Sequence, residues 1–178
     1  MARLFPDKLP GKTSREVART FRKLKKLPDD FSVWYTLSGS VRAPHFLLIW
    51  RERFAFLLHV ASTSQQLAES ALQPEMFSAD QSLDADDLGR DELQLLEEFH
   101  HDLLEKCAGS LPLRQLVVFP NVSQNTLDAV SLHRGDSTEV NFLSMHQLGD
   151  RDLGLLLESF TDEALDKTQI IHLRHAFT

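Results

Sequence analysis

Residues 43–62, APHFLLIWRERFAFLLHVAS, decide the fold of this chain. Two apolar runs flank the polar residues Arg51, Glu52 and Arg53, and a histidine interrupts each run, His45 in the first and His59 in the second. Runs of this length, rich in Phe, Leu and Ile, predict two antiparallel strands at the centre of the fold rather than a helix. A titratable side chain in a buried strand must find a partner or face a cleft. His45 and His59 are therefore the first positions at which to look for chemistry.

Upstream of the hairpin, Lys12, Arg15, Arg19, Arg22, Lys23, Lys25 and Lys26 make a basic cluster opposed only by Glu16. On a helix, Arg15, Arg19, Arg22 and Lys26 recur at spacings of four, three and four and form one stripe, while Val17, Phe21 and Leu24 form an apolar stripe for the core. Such a stripe meets nucleic-acid phosphate, an acidic protein patch or water. Gly11-Lys12-Thr13-Ser14 has the ending of a phosphate-binding loop, but Pro6 stands where that loop needs its first glycine and there is little room for a preceding strand. ATP binding is rejected at this site. Thr13 or Ser14 is instead the expected helix cap, its hydroxyl accepting a hydrogen bond from an otherwise orphaned backbone N–H.

Downstream, an acidic segment runs from Asp80 to Glu98. Its first half, SADQSLDADDLGR, has no periodic apolar face and reads as a loop, and its carboxylate spacing does not fit a calcium-binding loop. A helix is predicted from Asp91 to Cys107, with Leu93, Leu96, Phe99, Leu103 and Leu104 on one side. Leu113 to Pro120 has a buried-strand pattern, Asn121 or Ser123 is placed to cap a short helix through Val130, and Ser137 to Ser144 alternates as a strand. Helices are predicted to begin at Gly149 and at Thr161. His100, His101, His133, His146, His172 and His175 read as surface residues.

The chain has 178 residues, 42% of them hydrophobic and 25% charged, which suits one soluble domain with its own core. The single cysteine, Cys107, excludes an internal disulfide framework, and no secretory segment or membrane span is legible, so a cytoplasmic location is expected. The net charge of −7 argues against the whole surface being a non-specific nucleic-acid binder and leaves the basic helix as the place for any such contact. Alternating helices and strands predict a single α/β domain with a central mixed sheet and helices on both sides.

The same order of elements resembles the nuclease-related domain, a branch of the restriction-endonuclease-like superfamily found at the N-terminus of superfamily-one DNA helicases. The resemblance is carried by Gly11-Lys12-Thr13-Ser14-Arg15-Glu16-Val17, by Leu27-Pro28-Asp29-Asp30-Phe31, by Pro44-His45-Phe46-Leu47-Leu48, by Leu57-Leu58-His59-Val60-Ala61 and by Val117-Val118-Phe119-Pro120. It spans most of the chain through short motifs. In nucleases of this kind an Asp on one strand and a Glu-x-Lys on the next hold Mg²⁺ and activate water. This chain carries His45 at the Asp, His59 at the Glu and Ala61 at the Lys. Imidazole is a poor Mg²⁺ ligand and alanine cannot polarise water, so the resemblance implies a nuclease fold without a catalytic site. No metal and no cofactor are expected.

The leading expectation is a non-catalytic accessory domain in DNA processing. Lys12, Arg15, Arg19, Arg22 and Lys26 would contact DNA, or the domain would dock on a helicase motor. The abrupt end at Ile171-His172-Leu173-Arg174-His175-Ala176-Phe177-Thr178 suggests the N-terminal part of a larger protein, with an ATP-dependent helicase in cis. Two alternatives remain. One is a protein-interaction module recruiting a partner through the acidic loop. The other is a metal-dependent nuclease with a rebuilt site drawing on Glu16, Asp29 or Asp30 with His45 and His59; two histidines on neighbouring strands suit Zn²⁺ only if a third ligand arrives from elsewhere. A membrane partner is not expected.

Overall fold

A computed structural model describes residues 1–36, 43–73, 84–106, 111–134, 140–148, 151–159 and 163–178. In chain order the elements are β1 (Arg3–Phe5), α1 (Arg15–Leu24), β2 (Phe31–Tyr35), β3 (Phe46–Trp50), β4 (Phe54–Val60), α2 (Gln65–Leu72), α3 (Arg90–Lys106), β5 (Leu113–Phe119), α4 (Gln124–Arg134), β6 (Val140–Ser144), α5 (Arg151–Glu158) and α6 (Lys167–Ala176). The strands form one six-stranded sheet in the order β1-β2-β3-β4-β5-β6. Strand β3 runs antiparallel to both its neighbours and every other adjacent pair is parallel, so the sheet is mixed.

The stretch 43–62 is the hairpin its pattern predicts, with Phe46 opposite Leu58 and Trp50 opposite Phe54. Every residue of β3 is buried, and its continuous apolar run is what a strand covered on both faces requires. Alternation divides the hairpin between two cores. Leu47, Ile49, Ala55, Leu57 and Ala61 pack with residues of α2, α3, α4 and α6. Phe46, Leu48, Phe56, Leu58 and Val60 pack with residues of α1 and α5 on the opposite face. The predicted α/β architecture with helices on both sides of a mixed sheet is thus present.

Helix α1 begins at the predicted cap: the Ser14 hydroxyl accepts from the Val17 N–H at 3.2 Å. It buries Val17, Thr20, Phe21 and Leu24. It also ends earlier than the charge pattern suggests, because Lys25 is the C-cap. Lys26 therefore lies beyond the helix, and the stripe is Arg15, Arg19 and Arg22. Helix α6 starts at Lys167 instead of Thr161, since Asp166 accepts from the Gln169 N–H while the Gln169 side chain accepts from the Asp166 N–H, a reciprocal cap. Of the predicted strand 137–144, residues 140–144 are a strand and 137–139 lie outside the described residues, as do residues 78–83 of the acidic loop and Cys107. Short β1 and helix α2, capped by Ser64, are additions to the sequence reading. No helix among the described residues is long and apolar enough to cross a membrane.

Candidate functional site: a histidine pair at the carboxyl edge

In sheets of this kind ligands are met outside the carboxyl ends of parallel strands. His59 lies near the carboxyl end of β4, and one register step beyond the Phe46–Leu58 pair brings His45 directly opposite it. The two imidazoles stack at 4.2 Å between ring centroids with 24° between planes. Both rings belong to the face shared with Leu57 and Ala61, the residues that alternate with Leu58 and Val60 along the strand.

The backbone sets the protonation state of the pair. The Val60 N–H donates to Nδ1 of His45 at 3.0 Å, so that nitrogen is an acceptor and the neutral ring carries its proton on Nε2. His59 Nδ1 is buried with no hydrogen-bond partner among the described residues. Burial lowers the pKa of His45 to about 4. Burial, and then the charge that His45 would carry, lower that of His59 to about 3. At neutral pH the pair is two uncharged rings. Such a pair lacks the negative charge with which two carboxylates attract Mg²⁺, and one of its ring nitrogens is already taken by the main chain. Ala61 is fully buried, its N–H donating to the Val118 carbonyl at 2.8 Å, and its methyl joins the core.

The other candidate acids are elsewhere. Glu16 is on α1, whose packing is against the opposite face of the sheet. Asp29 and Asp30 precede β2 at its amino end, about 20 Å of strand from the histidines. Asp30 clamps the hairpin turn, its Oδ2 accepting from Trp50 Nε1 at 2.9 Å and from Arg51 Nε at 3.2 Å. Glu16, Asp29 and Asp30 are thus not brought together with the histidine pair. Among the described residues no group of three or more His, Cys, Asp and Glu is placed to hold a metal ion.

Of the basic candidates, Lys12, Arg15, Arg22 and Lys26 are exposed. Arg19 is half-buried, and its Nη1 donates to Oδ1 of Asn121 at 3.0 Å, just past the carboxyl end of β5. This contact ties α1 to the same edge of the sheet as the histidine pair, although from the other face. His101, His146, His172 and His175 are exposed, as read from the sequence, and the side chain of His133 lies outside the described residues. His100 departs from that reading: it is half-buried, with Nε2 3.0 Å from the Leu111 carbonyl and Nδ1 3.4 Å from Gln115 Nε2. Helix α3 turns this ring onto the start of β5, which no helical spacing could reveal.

Comparison with protein-family models, with characterised proteins and with solved structures returned no match.

Proposed function

We propose that this chain is a restriction-endonuclease-like domain, resembling the nuclease-related domain, that has lost its metal chemistry and serves as a non-catalytic accessory unit in DNA processing. The observation that carries the reading is the position of His45, His59 and Ala61. They follow a helix and a strand, His59 lies near the end of β4 with Ala61 just past it and His45 just before the antiparallel β3, and they share one face. A nuclease of this class would place its Asp, Glu and Lys in that arrangement. The chemistry at those positions is neutral and apolar.

Contact with DNA falls to the exposed basic residues of α1 and its flanks, Lys12, Arg15, Arg22 and Lys26, with Arg19 half-buried among them. Each phosphate neutralised releases condensed counterions, so binding through this helix must weaken steeply with salt. The test is fluorescence anisotropy of labelled single- and double-stranded oligonucleotides across a salt series, with the wild type beside Arg19→Glu/Arg22→Glu. The expected result is weaker binding and a salt slope reduced by about one for each lost contact. Equal affinity and equal slope in the two proteins would remove α1 from the mechanism.

A further inference from the structure

At the other end of the hairpin, far from the histidine pair, the turn between β3 and β4 and helix α6 enclose an open groove of about 690 Å³. Its floor is apolar: Leu165 and Ile170 are buried, and Ile171 stands 50% exposed. Its rim is charged, and the partners of those charges sort them into two groups. Arg51 is spent on Asp30 and on the Trp50 ring, with its guanidinium carbon 4.3 Å from the ring centroid. Arg174 pairs with Glu52, and Asp166 is committed to the cap of α6. Arg53, its guanidinium carbon 6.0 Å from the Phe54 ring centroid, and Lys167 have no carboxylate partner among the described residues. An apolar floor with two unneutralised cations is a local exception on a chain of net charge −7.

The backbone of the turn is a second, independent observation. Arg51 and Glu52 have φ of 52° and 54°, both in the left-handed region, where side-chain-bearing residues are uncommon and a hairpin turn favours Asn or Gly. The conformation is held from outside. The Arg51 N–H donates to the Asp30 carbonyl at 2.9 Å, the Leu165 N–H donates to the Arg53 carbonyl at 2.7 Å, and Glu52 is gripped by Arg174. Strain that the surroundings over-determine collects at ligand clamps, and here it fixes the groove wall against α6.

We propose that this groove docks an acidic amphipathic segment of a partner protein, apolar side chains against Ile171 and carboxylates on Arg53 and Lys167. Nucleic acid is the poorer occupant, because a polyphosphate gains nothing from the Leu165–Ile170–Ile171 floor. Docking here leaves the histidine edge and the exposed face of α1 free.

The test uses a fluorescein-labelled helical peptide with leucines at every third and fourth position and glutamates on its flanks, titrated with the intact chain by anisotropy. Ile171→Glu and Arg53→Glu/Lys167→Glu change exposed side chains, and thermal melts check that each variant is folded. Saturable binding that weakens about tenfold or more in both variants, and that is retained by Arg19→Glu/Arg22→Glu, is the expected result. No saturation below about 1 mM, or equal binding of a lysine-flanked version of the peptide, overturns the proposal. So does oligonucleotide binding abolished by Arg53→Glu/Lys167→Glu, which would make the groove a nucleic-acid site. Concentration-dependent dimerisation lost in Ile171→Glu would likewise assign the groove to a second copy of this chain.

Discussion

His45 and His59 make one part of the protein's stability sensitive to acid. An unfolded histidine titrates near 6.5, whereas the folded rings are held at about 4 and about 3. Between these limits the unfolded chain takes up protons that the native state refuses. The stability that depends on neutral rings is therefore complete above pH 6.5 and is lost as pH falls toward 4. Urea unfolding at pH 7 and pH 5 should show wild type losing roughly 2 kcal/mol more than His45→Gln/His59→Gln, after discounting for the solvent these half-buried rings still meet. Equal losses would mean the rings titrate normally. Gly89 gives a second check at this scale. Its φ is +73°, and a Cβ there would lie 3.1 Å from the Phe142 ring and 3.2 Å from the Phe119 ring, which pack edge to face. Gly89→Ala should cost about 1–3 kcal/mol in a denaturant titration, because both the backbone conformation and the space oppose it.

Among the elements, α1 separates stability from binding most cleanly. Leu24, its last residue, is fully buried, so Leu24→Ala should lower stability by about 2–5 kcal/mol, whereas exposed Arg15→Ala should stay within about 0.5 kcal/mol. If the two variants melted alike, the orientation of the helix would be wrong. The central hairpin was legible because its two long apolar runs and polar turn have no competing helical reading. Helix α3 was legible from Leu93, Leu96, Phe99, Leu103 and Leu104, of which Leu96 and Leu103 are buried and the others pack against them. Strand β1 was not, since three residues carry too little pattern. The start of α6 was misread although Asp166 and Gln169 spell a reciprocal cap, because Thr161-Asp162-Glu163 offers a competing start five residues earlier. The histidines were legible as occupants of neighbouring strands. Their face-to-face stacking depends on register, and register comes from the turn and the cores on both sides.

On the scale of the whole molecule, the two ends of the sheet differ. The carboxyl edge carries the neutral histidine pair and the tether from Arg19 to Asn121. The opposite end carries the strained turn and the groove against α6. With a net charge of −7, long-range attraction to DNA is weak, and the proposed contact is local to α1. The proposed function is that of a nuclease-like framework without metal chemistry. It is tested most directly by incubating the protein with labelled single- and double-stranded DNA in Mg²⁺, Mn²⁺ or Zn²⁺ while following binding in the same samples. Bound but intact DNA with every metal is the expected result. Metal-dependent cleavage that disappears in His45→Ala or His59→Ala would contradict it and show that the stacked pair forms a working site.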